Sequence, residues 1–123
     1  MFSHRVHPYW FDHRDETDWI AQHFFTGGFM PSHGLIDRIT DKFEVEDTWR
    51  WTGEHYRRTA RDWLINFDRN ASLIRAILAQ TYGSDAAIWY RRWRLFYLAT
   101  ARLFSHRAGE EWGVSHYLLR PVR

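Results

Sequence analysis

Histidines are the first side chains in this sequence that could bind a metal. His4, His7 and His13 lie close together near the start of the chain. Imidazole is a common ligand of transition metals, but the ligands of a site must converge on one point. These three histidines lie on a predicted strand and beyond Pro8, so local geometry does not bring them together, and no H-E-x-x-H helix is present. We therefore predict no metal site.

The carboxylates and the arginines have simpler explanations than catalysis. Glu46 and Glu54 could pair as acid and base, but Glu54 lies in the first turn of a predicted helix, where the helix dipole favours a carboxylate. A basic run contains Arg91, Arg92 and Arg94. We interpret this run as a solvated helix face, with a contact to phospholipid headgroups as the alternative. A hydrolase is disfavoured because the sequence has no cysteine and shows no nucleophile–base pair.

Two further features place aromatic rings where a substrate could bind. Phe24 and Phe25 precede Gly27 and Gly28, and paired glycines allow the backbone to approach a ligand closely. Apolar walls of this kind exclude water from a reacting group. Tyr56 combines an apolar ring with a hydroxyl that can donate a hydrogen bond to an anion. Without further information, an ordinary turn and an amphipathic helix position explain these residues at least as well.

The hydrophobic pattern alternates between strand and helix signals. It predicts strands over 2–6, 43–51 and 112–119, and helices over 15–24, 31–41, 54–67, 70–83 and 84–106. In the second strand Phe43, Val45, Trp49 and Trp51 are predicted to point to one side, with Asp47 as the exception. Three strands and five helices are typical of an α/β fragment. The first strand begins at residue 2 and leaves an open edge that favours self-association. We therefore expect residues 1–123 to form a single partial domain with a missing upstream part.

Composition excludes several classes of function. The 17 basic and 15 acidic residues give a net charge of only +2, which does not predict a nucleic-acid partner. The sequence shows no signal peptide and no run of apolar residues as long as a membrane span, so we expect a cytoplasmic protein, with the inner membrane surface as the alternative location. Aromatic residues make up 19% of the chain, eight of them tryptophan. We expect some of these rings to line a pocket or to cover another part of a larger protein.

Four ordered motifs carry a resemblance to a known enzyme family. They are HFFTGGFMPS at 23–32, EDTW at 46–49 followed by GEHYRRTARDW at 53–63, RWRLF at 92–96, and GEEWGVSH at 109–116. Over essentially its whole length, the chain resembles the C-terminal half of a group of S-adenosylmethionine-dependent methyltransferases. This group contains the cyclopropane-fatty-acyl-phospholipid synthases and coclaurine N-methyltransferase. The last two motifs are most similar to the coclaurine-type branch and its bacterial relatives.

The resemblance implies a class I, Rossmann-like methyltransferase fold. This chain would supply its C-terminal portion, about three strands with five helices, with the final two strands antiparallel and the acceptor pocket formed by the helices between strands. In the family, the glycine-rich loop that binds S-adenosylmethionine follows the first strand of the sheet. No G-x-G-x-x-G loop occurs in this sequence. We therefore expect the cofactor site to lie outside this chain and predict no cofactor-binding residue within it.

The resemblance also implies roles for five residues. In the cyclopropane synthases, the tyrosine that matches Tyr56 helps to hold a bicarbonate ion, which removes a proton from the methylated acyl cation. Tyr56 is therefore the predicted catalytic residue. Phe24, Phe25 and Gly28 match the loop that approaches the acceptor and the reactive methyl group, and His4 matches a histidine in a strand of the family. These four are the predicted substrate-binding residues.

Two classes of function follow from the resemblance. The first is methyl transfer to an apolar acceptor, with an unsaturated phospholipid acyl chain as the main expectation and a hydrophobic amine as the alternative. It requires the S-adenosylmethionine-binding N-terminal half or a partner subunit. The second class is a non-catalytic truncated module that binds lipid or docks onto a partner methyltransferase.

Overall fold

The structure, a computed structural model, describes residues 1–39 and 41–122. Five strands are β1 (Phe2–His4), β2 (Tyr9–Trp10), β3 (Phe29–Met30), β4 (Phe43–Thr52) and β5 (Trp112–Pro121). Four α-helices are α1 (Trp19–His23), α2 (Gly53–Arg69), α3 (Ala71–Tyr82) and α4 (Ala86–Phe104). Single 3₁₀ turns occur at Ile36–Arg38, Gly83–Asp85 and His106–Gly109. The described chain is therefore an α/β unit in which three consecutive helices separate the two long strands.

The main sheet has the strand order β1-β5-β4. Strand β5 lies in the middle and is antiparallel to both neighbours, which makes β1 and β4 parallel to each other. The predicted antiparallel pairing of the last two strands is confirmed. Strands β2 and β3 form a separate two-stranded sheet, which the sequence pattern did not predict. Each of these strands has only two residues, too few for a visible alternation.

A β-bulge in β4 corrects the predicted alternation. The register of β4 against β5 shifts between Val45 and Asp47, so Glu46 is an extra residue. Side chains in a strand alternate between its two faces. After one extra residue, every following side chain therefore points to the face opposite to the expected one. Phe43 and Val45 therefore lie on the face opposite Trp49 and Trp51, and the prediction that the four share a face is wrong. Asp47 follows the bulge as well and stays on the face of Trp49 and Trp51.

The three long helices pack on one another around a small apolar core. Phe67 of α2, Leu78 of α3 and Tyr90 of α4 are its buried members. Ala71, Ile74, Tyr82, Ala86, Trp93 and Tyr97 pack around them, partly buried. This spacing follows the helical period that predicted α2, α3 and α4 from the sequence. Gly83, with a φ of 53°, ends α3 as expected of glycine after a helix.

The two helices predicted before β4 are much shorter in the structure. The first begins only at Trp19, because Asp15 accepts hydrogen bonds from the backbone and hydroxyl of Thr17, and Asp18 caps the helix through the backbone N–H of Ala21. The helix predicted over 31–41 is reduced to the 3₁₀ turn Ile36–Arg38, and Thr40 lies outside the described residues.

The loss of that helix has a physical cause in the pairing of β1. The backbone N–H of His4 donates to Pro31 O at 3.0 Å, and the N–H of His33 donates to His4 O at 2.8 Å. Residues 31–33 are therefore extended beside β1 and cannot begin a helix. The same pairing covers the outer edge of β1 at His4, where an open edge was predicted. Among the described helices, none combines the length and the apolar character needed to cross a membrane.

Candidate active site

Glycines at the start of α2 fix the position of Tyr56. A Cβ atom on Gly53 would lie 2.2 Å from Phe104 O and 2.5 Å from Trp112 O, so only glycine allows this approach of α2 to the end of α4 and the start of β5. Tyr56 follows one helical turn later. Its ring meets the ring of Phe104 edge-on, with centroids 4.5 Å apart. Close backbone packing at one end of α2 therefore presses the Tyr56 ring against α4.

Tyr56 has an apolar environment that keeps its hydroxyl protonated. Besides Phe104, its ring has an edge-on contact with Trp63, with centroids 5.7 Å apart. Burial raises the pKa of the Tyr56 phenol above its ordinary value of 10. At neutral pH the group is therefore a hydrogen-bond donor and not a phenolate base.

A small apolar cavity of about 50 Å³ lies beside Tyr56. Its lining residues come from β1, α1, α2, β3, α4 and the loops that follow β2 and α1: Phe2, Phe11, Ile20, Phe25, Met30, Tyr56, Phe96, Thr100, Leu103 and Phe104. Two of the predicted site residues, Tyr56 and Phe25, therefore meet at one cavity although they lie on different elements. We call this space the Tyr56 cavity.

A larger open groove of about 480 Å³ lies between the three long helices. It is lined by Trp63, Asn66, Phe67, Asn70, Ile74, Trp93, Phe96 and Tyr97. Phe96 belongs to both linings, so the groove and the Tyr56 cavity are neighbours. The volume lies within the range of pockets that hold small molecules. We call this space the aromatic groove.

Phe24 and Gly28 support these walls without lining the cavity or the groove. Phe24 stacks on Phe96 with centroids 4.5 Å apart and meets Trp93 edge-on at 4.9 Å. Gly28 has a φ of 105°, a conformation that favours glycine, and its carbonyl oxygen accepts the N–H of Phe11 at 3.2 Å. Phe24 therefore packs behind Phe96, which lines both spaces, and Gly28 positions Phe11, which lines the Tyr56 cavity.

His4 is held by a separate set of contacts. Its Nδ1 accepts the backbone N–H groups of Val6 at 3.0 Å and His7 at 2.8 Å. Its Nε2 lies 2.9 Å from a carboxylate oxygen of Glu111. His4 is not among the residues that line the Tyr56 cavity or the aromatic groove, so its predicted substrate role gains no geometric support.

The other titratable candidates are engaged elsewhere. Hydrogen bonds from Arg57 and Arg58 lower the pKa of Glu54 to about 2, which makes this carboxylate a poor base. Glu46 is paired with Arg120, and Asp68 with Arg94. In the part of the chain that the structure describes, no group of three or more histidines and carboxylates is arranged to hold a metal ion.

A second groove, of about 650 Å³, lies along the exposed face of β4 and β5. It contains the half-exposed rings of Trp49 and Trp51 and also reaches Tyr56. It does not include Phe25 or any other residue of the 23–32 motif. The aromatic groove does not include one either, but its lining residue Phe96 contacts Phe24 and Phe25 of that motif, with ring centroids 4.5 and 6.0 Å away, which makes it the better candidate.

Sequence reasoning missed the aromatic groove because its walls come from distant parts of the chain. Trp63 lies on α2 and Trp93 on α4, and the sequence patterns assigned neither residue to a site. The available signal was the surplus of aromatic residues, since a core of this size does not need eight tryptophans. The surplus predicted a pocket but not its position.

The relatives described next, found by comparison with known proteins, are N-methyltransferases. No protein-family model matches the chain. The (S)-coclaurine N-methyltransferase of Thalictrum flavum subsp. glaucum is 31% identical over 95% of this chain, and that of Papaver somniferum is 28% identical over 95%. A pavine N-methyltransferase of Thalictrum flavum subsp. glaucum is 29% identical, also over 95%. The chain spans 34% of the length of each of these relatives, about a third.

A solved structure agrees with the sequence matches. The crystal structure of coclaurine N-methyltransferase bound to N-methylheliamine and SAH superposes with a TM-score of 0.84 and 28% sequence identity. The match covers 97% of this chain and 35% of the other. It confirms the predicted α/β fold of a methyltransferase segment. Over nearly all of its length, the chain is therefore similar in sequence and in fold to the C-terminal part of the coclaurine-type N-methyltransferases.

Proposed function

We propose that this chain forms the acceptor-binding side of an S-adenosylmethionine-dependent N-methyltransferase that acts on a hydrophobic amine. The observation that carries the proposal is the set of aromatic walls in the groove, which borders at Phe96 the cavity formed by Phe25 and Tyr56. The similar proteins, which are named as N-methyltransferases, support the same reaction class.

An aromatic amine suits these walls on physical grounds. Trp63, Trp93 and Phe96 offer flat apolar surfaces against which an aromatic acceptor can stack. Methylation of a neutral amine leaves a positive charge on the nitrogen, and ring faces attract cations. An acceptor stacked on these walls would displace water from them, which favours reaction of the amine over hydration of the reacting groups.

Tyr56 would act in this reaction as a hydrogen-bond donor at the edge of the Tyr56 cavity. Because its pKa is raised, the phenol stays neutral and does not remove the proton of the amine. Tyr97, the tyrosine that lines the aromatic groove, also has its pKa raised by burial. No lining residue of the cavity or groove is a carboxylate or a histidine, so we propose that the proton acceptor is supplied from outside these two linings.

S-adenosylmethionine would supply the methyl group. We propose that it binds to a region outside this segment, either an N-terminal part of the same polypeptide or a partner subunit. The acyl-lipid reaction, with bicarbonate held by Tyr56, is the weaker proposal, since the similar proteins named above are amine N-methyltransferases. A non-catalytic module remains the alternative to any reaction.

The test is methyl transfer by the chain expressed with the coding sequence upstream of Met1. The enzyme is supplied with S-adenosylmethionine and an equimolar mixture of tetrahydroisoquinoline and a monounsaturated phospholipid, and the products are identified by mass spectrometry. We expect the N-methylated amine as the product. A cyclopropane or methyl-branched lipid would support the other acceptor class, and no methylated product would support the non-catalytic module.

A further inference from the structure

The arginines of the basic run on α4 make different contacts. The guanidinium carbon of Arg92 lies over the Trp89 ring, 4.9 Å from its centre. Arg94 donates to both carboxylate oxygens of Asp68, at 2.7 and 2.8 Å. Within residues 1–39 and 41–122, the side chain of Arg91 makes no hydrogen bond or ion pair, and the residue is exposed. The run is therefore not one uniform solvated face, and Arg91 keeps an uncompensated charge.

Arg91 and Arg94 line a separate pocket of about 410 Å³ on α4, a volume within the range of small-molecule sites. Its α4 residues recur at helical spacing and therefore share one side of the helix, whereas the α4 residues of the aromatic groove lie on a different side. No residue belongs both to this lining and to the linings of the aromatic groove or the Tyr56 cavity. We call this space the arginine pocket; it is lined by Arg75, Ala87, Tyr90, Arg91, Arg94, Leu95 and Leu98.

A second uncompensated arginine reaches the pocket from α3. The guanidinium carbon of Arg75 lies over the Tyr90 ring, 3.8 Å from its centre. This contact is favourable for a cation and holds the guanidinium in place. In the part of the chain that the structure describes, the Arg75 side chain donates no hydrogen bond and pairs with no carboxylate. Its N–H groups are therefore available to a ligand while the position of the charge is fixed.

Tyr90 adds a hydroxyl that has no partner. The residue is only 7% exposed, and its ring packs on Phe67 with centroids 4.9 Å apart. The hydroxyl of a tyrosine buried to this extent usually has a hydrogen-bond partner. Among the described residues the Tyr90 hydroxyl has none. Because Tyr90 lines the arginine pocket, an oxygen of a bound ligand could accept this hydrogen bond.

The charge and the apolar surface of the pocket define the chemistry of a matching ligand. The lining contains three arginines and no acidic residue, and Asp68 compensates only Arg94. Beside them, Leu95 and Leu98 are 49% and 48% exposed, so they offer apolar surface to a ligand. An anionic group attached to an apolar chain satisfies both features. A cationic amine, by contrast, would be repelled by the two uncompensated arginines.

We propose that the arginine pocket is a second ligand site that binds an organic oxyanion, a carboxylate or a phosphate monoester carried on an apolar chain. Arg75, Arg91 and the Tyr90 hydroxyl donate to the oxyanion, and the chain lies on Leu95 and Leu98. The inference does not depend on the proposed function, because the arginine pocket is separate from the aromatic groove.

The test compares ligands that share a chain and differ in the head group. Octyl phosphate, octanoate and octan-1-ol, each kept monomeric, are titrated into the chain at low ionic strength and followed by isothermal titration calorimetry. We expect the two anions to bind at least about tenfold more tightly than the alcohol, as charge-assisted hydrogen bonds predict. Inorganic phosphate should bind more weakly than octyl phosphate, because it makes no contact with the two leucines.

Variants of the pocket test the assigned contacts. Arg75→Gln and Arg91→Gln should each weaken the binding of octyl phosphate about tenfold, and Tyr90→Phe about fivefold, as expected for the loss of a charged and a neutral hydrogen bond. The affinity for octan-1-ol should not change. Arg102→Gln is the matched control, because it removes the same charge from an exposed position of α4 that does not line the pocket. Circular dichroism should show the same helix content in all variants.

Each outcome of this experiment decides for or against the site. Binding of only one of the two anions would support the site and identify its oxyanion. Equal weakening by Arg102→Gln and Arg91→Gln would show a general attraction to a positive surface and would overturn the assignment, as would the absence of binding by both anions. Co-sedimentation of the chain with phosphatidylglycerol vesicles, without binding of monomeric octyl phosphate, would make this surface a membrane contact and not a ligand pocket. The amine test of the proposed function is unaffected by any of these results.

Discussion

At the scale of single residues, removal of the Tyr56 hydroxyl distinguishes a role of this residue in binding from a role in packing. The ring contacts with Phe104 and Trp63 do not involve the hydroxyl, and a phenylalanine would keep them. The resemblance assigned a catalytic role to this residue, and the structure places it beside Phe25 at the Tyr56 cavity. The role itself stays a prediction.

Tyr56→Phe should therefore affect methyl transfer more than stability. We expect the midpoint of thermal unfolding to change little, and kcat/KM to fall about tenfold if the phenol donates one hydrogen bond that strengthens during the reaction. Tyr82→Phe is the control, because Tyr82 stacks on Trp89 and lines neither space. Equal activity of Tyr56→Phe and wild type would leave Tyr56 with a packing role only.

Tyr9 should make stability depend on pH in the alkaline range. Its hydroxyl donates to Asp18 at 2.5 Å, and this hydrogen bond, with a smaller effect of burial, raises the pKa of Tyr9 from 10 to about 12. The folded state favours the neutral phenol, so the contribution is complete below pH 10 and is lost as the pH rises through about 12. Denaturant titrations across this range should show the stability advantage over Tyr9→Phe shrinking. A pH-independent difference would contradict the assignment.

At the scale of elements, the long helices were the most predictable part of the fold. The spacing of Tyr56, Trp63 and Phe67 in α2 follows the helical period, and Gly83 marks the end of α3. The bulge at Glu46 was not predictable, because a local pattern does not show which residue loses its partner across the sheet. The extended segment 31–33 was missed for the same reason, since its partner is His4.

The junction of α2 with β5 should tolerate no side chain at Gly53. In Gly53→Ala the new methyl group would lie against two backbone carbonyl oxygens that cannot rotate away. We expect a loss of at least 1–3 kcal/mol in the free energy of unfolding, roughly the cost of overpacking. Gly27→Ala is the matched control, because no atom lies within 4 Å of the added carbon there. Equal stability of the two variants in urea would show that the described approach of α2 to β5 is incorrect.

At the scale of the whole molecule, the candidate site is a product of long-range packing. The loop at 23–32, the start of α2 and the middle of α4 were recognisable as motifs, but only the fold brings Phe25, Tyr56 and Phe96 to one cavity. The sequence resemblance suggested two acceptor classes and favoured the acyl chain. The comparisons favour the amine, and the aromatic walls of the groove agree with that acceptor.

The position of the bound acceptor tests the central claim most directly. A benzyltetrahydroisoquinoline that carries a diazirine on its benzyl ring can be cross-linked to the protein by light, and the modified residues can be mapped by tandem mass spectrometry. We predict labels on the two helical segments that form the aromatic groove, 63–70 and 93–97, and competition by unlabelled ligand. Labels on the sheet face that contains Trp49 and Trp51, or labelling that unlabelled ligand does not reduce, would contradict an acceptor site in this groove.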